Sequence, residues 1–419
     1  MAALGPMALV DYLDKYVTSC ENRQISPVMA VKKTVERAID SGEMPDIMKL
    51  NGTITELRYH RIDDGMLETI FLPMVGLSLV RHIDLSYNEI GNRGAFAIAK
   101  VLKDDNAMET LILKSNNIGS EGVIAITKSL AYNEKLIHLD LSENNIGDDG
   151  GMAMASLLQI NVNISTVNLS GCSLGATSLI AFATIFQSNN YVSNLDLSNN
   201  LSSASNQSQT LVNDVMMHFS KTIQLNYAIT HLNFSKMGIT DWNMCDLLAS
   251  ALKANKNIET LNLSCNRISR DGGVALCNAL MKHSSVNNLI LSCCSIQDEG
   301  AIAIAQVICH NSKLKEIHID YNKISNTGLV AIAKALRNNS GVKYISLWGN
   351  QWGETSCEEF AELMQEPLAS KSIEDFTNTS IKSPKPVSAG STSRLQPHML
   401  DVSFYVVEDS IHVAHSPRK

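Results

Sequence analysis

The stretch VRHIDLSYNEI, from Val80 to Ile90, places apolar side chains at Val80, Ile83, Leu85 and Ile90 and an asparagine at Asn88. The same spacing returns as LIHLDLSENNI from Leu136, IETLNLSCNRI from Ile258 and LKEIHIDYNKI from Leu314. Starts fall at 80, 108, 136, 164, 192, 229, 258, 286, 314 and 342, so the step is 28 residues apart from one of 37 and one of 29. A fixed period of this length marks a solenoid, in which each unit buries its apolar side against its neighbours. Within the front half, the alternation Ile83-Asp84-Leu85 turns one side chain in two inward from a short strand. Its other face meets solvent.

The ninth position of the unit is Asn88, Asn116, Asn144, Asn200, Asn266, Asn322 and Asn350, replaced by Cys172, Met237 and Cys294 in three repeats. Where the chain leaves the strand, backbone groups lose their sheet partners, and an amide that donates and accepts satisfies them. Cysteine is a weak substitute and Met237 none, so the sixth repeat is expected to be locally irregular. Counting from Gly94, Gly122, Gly150, Gly272, Gly300 and Gly328, positions +3, +4 and +8 are apolar, the spacing of an amphipathic helix face. Helices are wider than strands, so stacked strand–helix units are expected to curve with their parallel sheet inside.

This 28-residue, helix-bearing unit resembles the ribonuclease-inhibitor-like subfamily of leucine-rich repeats over residues 54 to 366. The resemblance implies an α/β fold, a right-handed horseshoe solenoid with a parallel β-sheet on the concave face and helices on the convex face. Narrower stretches, NLSGCSLGATSLIAFATIF (Asn168 to Phe186), YISLWGNQWGETSCEEF and the tail FYVVEDSIHVAH, resemble one branch of that family. That likeness implies a non-enzymatic protein of nucleus, nucleolus and cytoplasm, linked to stem cells, differentiation and the germ line, with nucleolar proteins as partners.

Three domains are expected. Residues 1–53 form a helical cap, in which Ser26-Pro27 opens a helix to about Asp40. Residues 54–366 hold the repeats, beginning with a degenerate strand over Ile54–Tyr59 and a helix from Asp63. Residues 367–419 form a flexible tail, whose LDVSFYVVEDSIHVAH segment suits a hairpin or docking strand. Glu359 replaces the small residue at +3 of the last helix, so the outer side asks for no further neighbour. The long step carries LSSASNQSQ, Leu201 to Gln209, a polar surface loop and accessory contact.

The balance of 34 Lys and Arg against 42 Asp and Glu gives a net charge of −8, which disfavours direct nucleic-acid binding. The apolar run Ile70–Val80 is about half of the roughly 20 residues a membrane helix needs. The N-terminus makes a poor secretory signal, and the nine cysteines fit neither a disulfide framework nor a paired zinc motif. A cytoplasmic and nuclear monomer with reduced thiols and no cofactor is expected.

Candidate sites follow from the repeat geometry. His82 and His138 share a position two repeats apart, about 10 Å on strand spacing, too far for one zinc ion. Asp84, Asp140 and Asp196 form an acidic stripe suited to steering a basic partner. Tyr321, Tyr344 and Trp348 are candidate aromatic anchors on the last repeats, joined by Tyr87 and His318. Their alternative role is an end cap; Trp352 reads as core. His318, Asp320 and Ser346 supply the ingredients of a nucleophilic triad, but an open sheet lacks oxyanion donors and water exclusion. Cys265 and Cys293 occupy equivalent positions in adjacent repeats and form a candidate redox pair.

The reading is a non-enzymatic scaffold that binds a protein on its concave face. A regulator of a Ran-like small GTPase is an alternative, because Ran GTPase-activating proteins use a similar repeat domain; their acidic tail has no counterpart in residues 367–419. A structural component of a ciliary or axonemal assembly is another.

Overall fold

The computed structural model describes residues 6–201, 209–283, 285–339, 341–365, 400–401, 403–407 and 410–414. The chain divides into two units, Met1–Val215 and Met216–Lys419.

The first unit opens with α1 (Pro6–Arg23) and α2 (Met29–Ser41). Strands β1 (Ile47–Lys49), β2 (His82–Asp84), β3 (Thr110–Ile112), β4 (His138–Asp140), β5 (Thr166–Asn168) and β6 (Asn194–Asp196) then alternate with helices. These are α3 (Asp64–Phe71), α4 (Asn92–Asp104), α5 (Ser120–Leu130), α6 (Gly147–Ile160) and α7 (Ala176–Ile185), and the unit boundary falls within α8 (Gln209–Leu225). Consecutive strands from β1 to β6 pair in parallel, and from β2 onward the register is one repeat, with His82 opposite Thr110 and Thr110 opposite His138.

Two expectations at the start are corrected. The first strand is Ile47–Lys49, with Ile47 opposite His82, whereas Ile54–Tyr59 is a run of turns. The cause is local: Ile54 accepts through its carbonyl from Leu57 and Arg58, and Asn51 accepts from the Thr53 backbone and hydroxyl. Pro27 precedes α2 rather than opening it, because Val28 is held extended and donates its N–H to the Tyr16 hydroxyl at 2.7 Å. The cap is tied to the repeats by buried Tyr12, whose hydroxyl donates to the Ile70 carbonyl, and by Glu68, which pairs with Arg23 of α1 and Arg93 of α4.

The second unit contains β7 (His231–Asn233), α9 (Ala249–Ala254), β8 (Thr260–Asn262), α10 (Arg270–His283), β9 (Asn288–Ile290) and α11 (Gln297–His310). It continues through β10 (Glu316–His318), α12 (Asn326–Arg337), β11 (Tyr344–Ser346) and α13 (Glu354–Gln365). Strand β12 (Leu400–Asp401) then joins β11 in parallel, and β13 (Ser403–Val407) and β14 (Ser410–Ala414) form an antiparallel hairpin. Strand β14 lies against α13. The last helix therefore has a tail strand beside it. Glu359 does not keep it bare, because its carboxylate turns back to Arg337 and Lys334 of α12.

Three repeating hydrogen-bond systems hold the coils in each unit. In the first, Asn116 donates to the Leu85 and Leu113 carbonyls at 3.0 and 2.9 Å while its Oδ1 accepts from Ile90 at 3.1 Å. Cys172 and Cys294 donate through sulfur to Leu141 and Leu263 at 3.2 and 3.3 Å, keeping one arm of the ladder. Met237 keeps neither arm, yet its N–H and the Phe234 carbonyl are both served by Asn266. The same repeat carries a π-helical segment, Asn243–Leu248, ahead of α9.

The second system was not read from the sequence. At the ends of the helices Asn133, Asn161 and Asn189 form a row in the first unit, and Asn255, Asn311 and Asn339 repeat the arrangement in the second; Asn161 donates to Leu130 and Asn133 carbonyls and accepts from Asn163 and Ile164. In the third, a side chain in the first turn of one helix caps the next. Asp148 Oδ1 accepts from the Gly175 and Ser178 N–H groups at 2.9 and 3.1 Å and from the Ser178 hydroxyl at 2.5 Å. Asp64, Asn92, Asp241 and Asp298 repeat the arrangement. A helix presents orphan N–H groups at its start, and here the preceding coil satisfies them.

Candidate functional site

In every repeat strand the middle residue is buried, and its two neighbours face out of the sheet. On the first unit one outward row is His82, Thr110, His138, Thr166 and Asn194, and the next is Asp84, Ile112, Asp140, Asn168 and Asp196. The acidic stripe thus exists, with Ile112 and Asn168 between its members. Its carboxylates are fixed: Asp140 accepts from the Ser142 N–H and hydroxyl at 2.8 and 2.6 Å and from Asn168 at 3.0 Å. Asp84 repeats this with Ser86 and Asn51, and Asp196 with Ser198. Each carboxylate therefore closes its own turn while its negative charge remains on the sheet face.

Burial pushes the His138 imidazole below its ordinary pKa, against the opposing pull of Asp140. His82 instead lies 3.0 Å from the Thr110 hydroxyl. Along the rim, the residue before each ladder position adopts positive φ, as at Tyr87, Ser115 and Glu143. Lys114 bridges this rim, 5.7 Å over the Tyr87 ring and 3.1 Å from Glu143. The Ser115 hydroxyl and then Lys114 hold the Glu143 carboxyl below the usual range despite partial burial.

On the second unit His318 meets Tyr344 with ring centroids 5.0 Å apart, and Tyr321 stands 53% exposed. The Tyr321 ring presses on the backbone at Gly349, where a Cβ would lie 2.0 Å from it. Asp320 gathers the Trp348 N–H at 2.8 Å, the Ser292 hydroxyl at 2.9 Å and the Ser346 hydroxyl. Ser346 is buried and donates to Asp320 rather than to His318. The three are therefore not arranged as a nucleophilic triad, in which histidine would take the serine proton. Strand β12 pairs with β11 at Ile345 and Ser346, which brings the tail beside Tyr344. Trp352 is half-buried and packs edge-on against Phe360.

Cys265 and Cys293 sit at the positive-φ rim of β8 and β9, both exposed. Buried Cys172, Cys277 and Cys294 are different, their thiols pushed up to about 12 by desolvation. Of the loop Leu201–Gln209, residues 202–208 lie outside the described ones. One surface was missed altogether. Tyr132, Ile160, Val162 and Tyr191 form an exposed apolar edge on the first unit, with Tyr132 91% exposed. They flank Asn133, Asn161 and Asn189, so the unread second asparagine row was the available signal.

A shallow groove of about 460 Å³ lies on the helix side, lined by Arg270, Asp271, Val274, Ala275, Asn278 and Glu299. Among the described residues no cluster of three or more His, Cys, Asp or Glu is placed to hold a metal ion, and no helix is long and apolar enough to cross a membrane.

A leucine-rich-repeat family model matches residues 77–99, 106–126, 132–155, 254–277, 282–305 and 310–333. These segments coincide with the strand-and-helix coils. The chain carries leucine-rich repeats over these segments. It is an α/β solenoid of that type, and proteins built this way generally serve as interaction scaffolds for other proteins. No curated protein matches this leucine-rich-repeat chain. The solved structure of Leiomodin-1 Actin-Binding Site 2 (ABS2) is similar at 18% identity, over 32% of this chain and 76% of its own, with a TM-score of 0.29. A likeness that low carries no argument about fold or function.

Proposed function

We propose that this leucine-rich-repeat protein is a non-enzymatic scaffold that binds a protein partner on the concave sheet face. The observation that supports this most is the row Asp84, Asp140 and Asp196, carboxylates locked by their own turns on an open face. Locked charge costs little entropy to present and guides association with a basic surface. Tyr87 and Lys114 border it, which adds an aromatic and an amphipathic contact. On the second unit Tyr321 is the exposed anchor of our reading, and Tyr344, Trp348 and His318 belong to the end that the tail strand adjoins.

The finer reading is that the chain belongs to the ribonuclease-inhibitor-like subfamily and corresponds to leucine-rich repeat-containing protein 34. It then acts as a monomer in cytoplasm, nucleus and nucleolus, with nucleolar partners, in stem-cell maintenance, differentiation or germ-line development. The sequence stretches from Asn168 to Phe186 and from Tyr344 to Phe360 support that reading.

Proximity labelling in cells tests it. Wild type is compared with an Asp84→Asn, Asp140→Asn, Asp196→Asn triple variant, with Tyr321→Ala and with Tyr344→Ala, Trp348→Ala. Loss of a defined set of neighbours in the triple variant, with unchanged melting, supports the acidic face. Full retention of every neighbour in all three variants rejects the concave face as the binding surface.

A further inference from the structure

The rim of the second unit carries a feature that partner binding does not use. Cys265 and Cys293 are both exposed and occupy the same left-handed position, φ 56° and 60°, in consecutive coils. Strands β8 and β9 pair with Thr260 opposite Asn288 and Asn262 opposite Ile290, a constant offset of 28 residues. The ladder continues past the strands, for Cys265 donates its N–H to the Ser292 carbonyl at 2.8 Å and Cys293 donates to Asp320 at 2.8 Å. The offset therefore reaches Cys265 and Cys293, whose Cα atoms are set about one strand spacing, ~4.8 Å, apart. That lies inside the roughly 4.4–6.8 Å window of a disulfide. The two thiols are also near enough to influence each other, the Cys265 thiol being among the groups that raise that of Cys293.

We infer that Cys265 and Cys293 are an oxidative modification site, closing into an inter-coil disulfide when the protein meets a peroxide. One thiolate attacks a peroxide oxygen, the O–O bond breaks, and a sulfenic acid and water result. The second thiol then attacks the sulfenic sulfur; the S–S bond forms, the S–O bond breaks, and a second water leaves. Two sulfurs lose two electrons in all, the peroxide gains them, and both thiol protons end in water. Cys294 follows Cys293 in sequence but is buried and donates to the Leu263 carbonyl at 3.3 Å, on the core side of the ladder. Exposure separates the two, for Cys265 and Cys293 are both exposed at the rim while Cys294 is buried.

Burial, the neighbouring Cys265 thiol and Asp320 together push the Cys293 thiol up, while Lys236 opposes them.

The full chain is treated with equimolar hydrogen peroxide, blocked with an alkylating reagent and mapped by peptide mass spectrometry without reduction. The expected product is one intramolecular cross-link joining Cys265 to Cys293, lost on adding dithiothreitol. Cys265→Ser and Cys293→Ser each abolish it, and Cys294→Ser leaves it in place. Matching circular dichroism spectra of the serine variants and wild type exclude misfolding as the cause of loss. A bridge through Cys294, a disulfide between molecules, or sulfinic acid at either residue without a bridge overturns the inference.

Discussion

Asp64 Oδ1 accepts from the Gly91 and Gly94 N–H groups at 2.6 and 2.9 Å, and a Cβ on Gly94 would lie 2.7 Å from that same oxygen. The glycine near the start of this repeat helix is thus set by the carboxylate of the previous coil. Gly122 with Asn92, Gly272 with Asp241 and Gly328 with Asp298 show the same closeness. Alanine gains about 1 kcal/mol over glycine in a helix interior. Gly94→Ala is nevertheless expected to destabilise by roughly 1–3 kcal/mol, the cost of overpacking. Urea unfolding of Gly94→Ala beside wild type checks this, and a midpoint at or above that of wild type removes the overpacking argument.

Asp148 caps three donors of the next helix, so Asp148→Ala should cost about 1–2 kcal/mol. Asp149, its neighbour in the same first turn, is the control. Equal losses in thermal unfolding of the two alanine variants would remove the inter-coil capping argument.

Cys172 keeps one ladder bond through its sulfur, to the Leu141 carbonyl. Cys172→Asn restores a full amide and is expected to hold or raise stability, by up to about 1 kcal/mol per added bond. Asn144→Ala, which strips donors from Leu113 and Leu141 and an acceptor from Ile118, should cost roughly 2–3 kcal/mol as those groups lose their partner in the core. Chemical denaturation of both variants gives the comparison.

The stripe carboxylates combine a turn with a charge, and two substitutions separate the roles. Asp140→Asn keeps an oxygen for Ser142 and should leave stability within about 0.5 kcal/mol of wild type. Asp140→Ala removes acceptors from Ser142 and Asn168 and should cost about 1–2 kcal/mol. Equal unfolding midpoints for the two variants would show that the hydrogen bonds contribute nothing.

His138 has its pKa lowered from 6.5 in the folded protein by burial. As the pH falls below about 6.5 the unfolded chain takes up this proton first, so stability present above that value is progressively lost until the pH has passed the folded value. His138→Gln should flatten the dependence of the urea midpoint between pH 7.5 and 5, while His82→Gln serves as the comparison on the same row.

Much of this was legible in the chain. Ile83, Leu111, Leu139 and Leu261 are all buried strand centres, as their spacing required. Asp84, Asp140 and Asp196 were legible as a stripe for the same reason, since residues flanking a buried strand centre face outward. The first strand was not, because Met48 sits 35 residues before Ile83 rather than one repeat length. The helix-end asparagines were visible at the same 28-residue interval, at Asn133 and Asn161, but polar residues between helix and strand read as ordinary loop.

The sequence alone determined which residues repeat, which of them face inward and how coils follow one another, because periodicity acts on neighbours along the chain. Only the tertiary structure decided what each polar side chain does. Asp64 and Gly94, or Cys265 and Cys293, lie 30 and 28 residues apart, and their hydrogen bonds and contacts exist only once the coils are stacked in register. Ser346 shows the same limit: its strand places it beside both His318 and Asp320, and the direction of one hydroxyl, set by packing, gives it to the carboxylate.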